Sequence, residues 1–135
     1  MGYDSTVTIT TIPTIYTHYV YLLVTNDNKM FKTGITLNPK ARIKKLFQYI
    51  DFDLKKSFLI PCYTVGESSQ IEKLFRAKFR DYNILNMPKF SGSTEFYFIE
   101  CFDDAFYFVY HHSFSLKYMR IKSIENLPCK SFNIY

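Results

Sequence analysis

Between Phe31 and Leu46 the chain reads FKTGITLNPKARIKKL, which gathers Lys32, Lys40, Arg42, Lys44 and Lys45 around Gly34 without an acidic residue. From Lys29 to Lys45 there are six basic residues and no Asp or Glu, so this segment outweighs the +5 net charge of the whole chain. The remainder is close to balanced. The chemistry such a cluster suits is the holding of phosphate: a guanidinium binds phosphate oxygens in pairs, and lysines add compact positive charge. A helix N-terminus beside them contributes unsatisfied N–H groups of the same polarity. The competing reading is a solvated helix face. Ile43, Leu46 and Phe47 define the buried side of that helix and Arg42 lies beside it, where a phosphate contact is the reading taken.

A cluster of this kind needs elements that hold it in register. Asn38 followed by Pro39 is an N-cap and first-turn pair, and Ile43, Leu46, Phe47 and Ile50 recur at helical spacing, so a helix is predicted to start there. Upstream, HYVYLLVTN and MFKTGIT are β runs separated by the turn residues Asn26 to Lys29. They predict a hairpin with Tyr21 and Lys32 on neighbouring antiparallel strands. KSFLIPCYTV is a short apolar strand broken by Pro61. In SSQIEKLFRAKFRDY, Ser69 stands three residues before Glu72 as a capping box, and Ile71, Leu74, Phe75 and Phe79 share one face of a second helix. STEFYFIE reads as a strand, FDDAFYFVYHH as a third helix and SLKYMRIKSI as a last strand or extended tail. STVTITTIPTIYT alternates in the period-2 manner, but Pro13 confines it to an edge strand or an arm.

The order β, β, α, β, α, β, α predicts a small α/β (α+β) domain with a central antiparallel or mixed sheet of about three strands flanked by helices. The expected organisation is an arm over residues 1–17, the domain over 18–112, and a strand or tail over 113–135 packing on the same domain.

Taken in order, these residues resemble the GIY-YIG nuclease superfamily. YVY, Tyr19 to Tyr21, stands where that family has GIY, and KTG, Lys32 to Gly34, stands where it has YIG. Thr36, Asn38 and Arg42 match its run of threonine, asparagine and arginine, and Glu72 in QIEKLFRAKF stands at its metal-binding glutamate. Thr94, Glu95 and Phe96 resemble the Glu-aromatic-Phe strand of a phage-type branch. Tyr19 replaces the first glycine of the family and Lys32 its second tyrosine.

The resemblance implies a small GIY-YIG-like domain that cleaves phosphodiester bonds in DNA with one divalent ion, Mg²⁺ or Mn²⁺. Glu72 would bind the ion, Tyr21 would help activate water, Arg42 would clamp the phosphate and Lys32 would add a cation, while Asn38, Lys40, Lys44 and Lys45 would meet the DNA. A rival reading is a catalytically impaired module on the same scaffold that binds nucleic acid or a protein partner. Glu72 has two structural jobs available, the capping box with Ser69 and an ion pair with Arg76 one turn on. Tyr21 competes with an ordinary strand aromatic in a chain of twelve tyrosines. Glu95 is expected to be a surface or sheet-edge charge.

The totals agree with one domain: 135 residues at 47% hydrophobic content can bury one core. Cys62, Cys101 and Cys129 stand far apart in an odd number, which argues against a disulfide framework and for a reducing compartment. His18, His111 and His112 have no metal-ligand spacing to a cysteine, which disfavours zinc. No secretory leader pattern and no run of roughly 18 to 20 apolar residues is present, so the expectation is an intracellular protein, in cytoplasm or in a nucleus or virus-infected cell, with DNA and not a membrane as partner. Oligomeric state is not encoded in these features.

Overall fold

The structure is a computed structural model that describes residues 16–129. The expected N-terminal arm lies outside the described residues except for Tyr16 and Thr17, as do the last six residues of the tail. Five strands form one sheet: β1 (His18–Val24), β2 (Met30–Thr36), β3 (Phe58–Cys62), β4 (Phe96–Phe98) and β5 (Met119–Arg120). Their order across the sheet is β4-β2-β1-β3-β5, and every pairing is antiparallel. The helices are α1 (Pro39–Leu46), α2 (Val65–Lys78) and α3 (Phe102–His112).

The α+β class and the element order are as expected, but the sheet has five strands and not about three. The difference lies at its edges, where β4 has three residues and β5 two, too short to carry a period-2 signature. Pro61 does not break β3. It is paired with Tyr19 of β1, whereas β5 reaches only Phe58 and Leu59, so the residue without an N–H sits where β3 has one strand neighbour.

Alternation along β1 explains the layers. Val20, Leu22 and Val24 face α2 and α3, packing with Phe31, Ile60, Ile71, Phe75, Ala105 and Val109. Tyr21 and Leu23 face the other way, onto Ile43 and Leu46 of α1 and onto Phe52, Leu59 and Phe96. A strand buried on both sides reads as one apolar run, as YVYLLV does. The sheet is therefore the middle of three layers.

α1 starts as its sequence implies. Asn38 accepts from the Ala41 N–H at 3.1 Å, Pro39 opens the first turn, and Thr36 accepts from the Asn38 N–H at 3.0 Å. α2 starts earlier than Ser69. Its N-cap is Thr64, whose hydroxyl accepts from the Glu67 N–H at 3.1 Å, so Ser69 and Glu72 lie in the helix interior and form no capping box. The sequence holds two Ser/Thr-x-x-Glu patterns in succession, and the upstream one is used because the chain leaves β3 at Cys62. Along α2, Ile71, Phe75 and Phe79 are buried while Leu74 is exposed.

Glu67 carries more than a cap. It is buried, and its two oxygens accept from the Tyr63 N–H at 2.8 Å and the Phe114 N–H at 2.7 Å, which ties the start of α2 to the end of α3. Glu67→Gln leaves one of these N–H groups facing an amide NH₂ in a buried place, an exchange that costs about 1–3 kcal/mol. Urea unfolding should show that loss in the midpoint with an unchanged slope.

Candidate active site

β1 and β2 bring the expected residues to one face. Tyr21 pairs with Gly34 and Leu23 with Lys32, so Tyr21, Gly34 and Lys32 all point toward α1. The Tyr21 ring crosses directly over Gly34, where a Cβ would run into its hydroxyl and Cζ. A glycine opposite this tyrosine is thus a steric requirement of the tyrosine's own orientation. The phenol emerges beside α1 and accepts from Nε of Arg42 at 3.4 Å.

Lys32 is fully buried, with 0% of its surface exposed. An ammonium removed from water needs compensation. It receives it from Glu95, whose Oε1 lies 2.9 Å from Nζ, and from the Thr33 carbonyl at 3.2 Å. The rings of Tyr21 and Phe96 add cation–π contacts at 5.3 and 5.8 Å. Lys32 is opposite Phe96 in the β2–β4 register, which places the preceding Glu95 next to it at the sheet edge.

The network continues to α2. Arg76 lies 4.0 Å from Oε2 of Glu95 and 3.8 Å from Oε1 of Glu72, its neighbour one turn back on the helix. Burial, then the adjoining Glu95 carboxylate, push Glu72 above the usual carboxylate range, while Arg76 and Lys32 pull the other way. Tyr97, on the α2 side of β4, has its phenol pushed up to about 12, mainly by burial.

The loop before β4 closes over the cations. Asn83 donates from its side-chain amide to the Thr94 and Phe96 carbonyls, each at 3.0 Å, and the Ile84 N–H donates to the Phe96 carbonyl at 2.8 Å. The segment between these anchors returns across α1. At Gly92, with φ +90°, a Cβ would sit 2.8 Å from both Nη2 of Arg42 and Nζ of Lys32. Only a residue without a side chain fits there in that backbone state.

Tyr21, Lys32, Arg42 and Glu72 are therefore joined in one chain of contacts through Glu95 and Arg76. The other basic residues of the first helix separate. Lys40 turns to the C-terminal segment, 3.7 Å from the Glu125 carboxylate, and Asn38 is engaged in capping. Lys44 and Lys45 are exposed and make no ion pair among the described residues.

The residue that sequence reasoning placed outside the site is Glu95. Lys32 on an inward strand position was the available signal, since such a lysine requires a carboxylate. Gly92 and Arg76 were also unforeseen as site residues. Among the described residues no three His, Cys, Asp or Glu side chains gather as a metal-ligand group.

The T5orf172 domain model matches residues 17–123, from the start of β1 to just beyond β5. The chain belongs to this family. T5orf172 is a phage-type, nuclease-like domain, and here its core holds the whole network from Tyr21 to Glu95. Comparison with curated proteins and with solved structures finds no match. No described helix of this T5orf172 domain is long and apolar enough to cross a membrane.

The position of Glu72 in this domain has a thermodynamic signature. An acid whose folded value lies above its unfolded value penalises folding when it is charged. The penalty is complete above the folded value, diminishes as pH falls through it, and is absent below the unfolded value of about 4.3. In chelator, Glu72→Gln should therefore be more stable than wild type at pH 7, with the difference closing on acidification. Thermal midpoints of both proteins from pH 7 to 4 measure it, and a destabilised variant at pH 7 would mean that Glu72 is held for its ion pair with Arg76.

Proposed function

We propose that this T5orf172 domain is a GIY-YIG-like DNA endonuclease that hydrolyses phosphodiester bonds with one divalent ion. The observation that carries the reading is the meeting of Tyr21 and Arg42 with the Lys32–Glu95–Arg76–Glu72 network across three layers of the fold. A structural salt bridge needs one carboxylate; this one has two side by side, and Glu72 is pushed up by burial first and by Glu95 second. A dication fits such a place, because Mg²⁺ takes one or two carboxylates and fills its remaining positions with water and phosphate oxygen. Glu72 would hold the ion, with Glu95 beside it. Bound there, Mg²⁺ or Mn²⁺ supplies neutralisation of the charge that builds on the phosphoryl oxygens.

The protein's own groups divide the rest of the work. Arg42 is half-buried, with its guanidinium against the Tyr21 hydroxyl, so a phosphate it clamps is brought within reach of that phenol. Tyr21 would orient the attacking water and take its proton while passing its own phenolic proton to solvent, as the water oxygen bonds to phosphorus and the P–O ester bond breaks, the leaving oxygen taking a proton from solvent. Lys32, enclosed under Gly92, acts by fixing Glu95 and the Tyr21 ring. Lys44 and Lys45 meet phosphates further along the strand.

One observation favours the second reading, a module that binds nucleic acid or a protein without cutting. Lys32 already occupies Glu95 at 2.9 Å, so this carboxylate is satisfied by the protein itself.

Two measurements separate these readings. With Mg²⁺ or Mn²⁺, wild type should nick supercoiled plasmid, Glu72→Gln should not, and Tyr21→Phe should be slowed by about 100-fold or more. Wild-type cutting no faster than the Glu72→Gln background removes the enzyme. Binding of DNA should weaken with salt, and replacing Lys44 and Lys45 together by Ala should reduce the log–log slope by about 2. Affinity that ignores salt points to a protein partner.

A further inference from the structure

Tyr49 lies on the same side of the first helix as Arg42. The Phe47 N–H bonds to the Ile43 carbonyl and the Tyr49 N–H to the Leu46 carbonyl, at 3.1 and 3.0 Å, so the helical path continues past Leu46. Positions 42, 45 and 49 then fall on one face, about 10 Å from end to end. The loop that closes over the site follows this same face. Gly92 abuts Arg42, and two residues earlier Phe90 stacks on Tyr49 with centroids 4.7 Å apart and planes 5° from parallel. Phe90 in turn stands edge-on to the buried Phe96 at 6.0 Å.

Two rings thus anchor Tyr49 to the core, yet it remains 51% exposed. Phe90 stacks on one face of the ring, which leaves the opposite face as the one a flat partner could take. Lys44, Lys45 and Lys89 are also exposed and have no ion-pair partner among the described residues. A rigid flat aromatic beside uncompensated cations is the combination that binds single strands: the cations take backbone phosphate and the ring takes a base. A base within a duplex has both faces covered by its neighbours and cannot use such a ring.

We propose that Tyr49 is a stacking platform for an unpaired base, so that the domain takes DNA with a single-stranded stretch next to the phosphate at Arg42. The proposal rests on the nucleic-acid reading given above and adds the form of the substrate. The Tyr49–Phe90 stack also couples the platform to the loop: a base that settles on Tyr49 braces the segment whose Gly92 lies over Arg42 and Lys32.

The test compares the full chain with Tyr49→Leu, which keeps an apolar cover on Phe90 without an aromatic face, and with Tyr49→Phe, which keeps the ring. The probes are an oligonucleotide containing 2-aminopurine, single-stranded and as a duplex, at low salt in chelator. Tyr49→Leu should weaken single-strand binding about tenfold and duplex binding by less than about twofold, with Tyr49→Phe equal to wild type. Wild type and Tyr49→Phe should quench the 2-aminopurine fluorescence of the single strand, and Tyr49→Leu should not. Equal losses on both forms, or no loss on either, overturn the platform and leave DNA binding in place. Wild type that binds neither form overturns the nucleic-acid reading together with the platform. Should Tyr49→Leu lower the thermal midpoint, quenching by wild type alone decides, and its absence overturns the proposal.

Discussion

A fully buried ammonium sets the geometry of this domain. Lys32 could not be held at 0% exposure without a carboxylate, and the strand that flanks β2 on its outer side is β4. The pairing with Glu95 therefore adds to what holds this three-residue edge strand in register, together with the buried Phe96 and Tyr97 and the bonds from Asn83 and Ile84. The same requirement presses Tyr21 and Phe96 against the ammonium and brings Gly92 down over it. Breaking the Lys32–Glu95 contact would leave a buried ammonium without its carboxylate, so this pair is a constraint on the fold as well as a feature of the site.

The basic run that begins this chain's chemistry divides by position once it is folded. Arg42 points inward to the Tyr21 hydroxyl, Lys32 is enclosed, Lys40 is turned to Glu125, and only Lys44 and Lys45 remain as surface charge on α1. The five basic residues from Lys32 to Lys45 are thus not one phosphate site. They supply a structural cation, a candidate clamp beside a phenol, a tether to the C-terminal segment and a short electrostatic track. Helical period explains the division between Arg42 and its neighbours, because Ile43 and Leu46 must face the sheet and the residues between them cannot.

What could be read beforehand was what depends on local pattern. The hairpin that puts Tyr21 and Lys32 on neighbouring strands and the Asn38–Pro39 helix start each involve residues whose partners are set by strand pairing or one helical turn. What could not be read depended on distant closure. Glu95 is 63 positions from Lys32 in sequence, and nothing in STEF marks its carboxylate as the counterion of a lysine in another strand. The start of α2 is ambiguous in sequence because two capping patterns follow one another, and the Phe114 N–H, which is brought in by α3, shows why Glu67 and not Glu72 is the buried carboxylate at the helix start. That displacement matters for the site: freed from capping, Glu72 lies in the helix interior, where its side chain is directed by packing toward Glu95.

The two carboxylates are not equivalent. Glu95 is committed, with an ammonium 2.9 Å away and a backbone position set by β4, whereas Glu72 has only Arg76 at 3.8 Å, itself a largely exposed side chain. An exposed arginine on a helix face is held weakly and can swing to another acceptor at little cost. Of the two, Glu72 is then the carboxylate that would exchange its partner for a cation under the proposed function, and Glu95 the one that would keep the neighbourhood negative. A carboxylate pushed above its ordinary range by burial, and then by a like neighbour, is a cost to folding when charged, and a network that needed only to be stable would be served by a glutamine at position 72. In the endonuclease reading proposed above, the carboxylate there would serve a cation that approaches from outside the chain, with Lys32 holding Glu95 in place beside it.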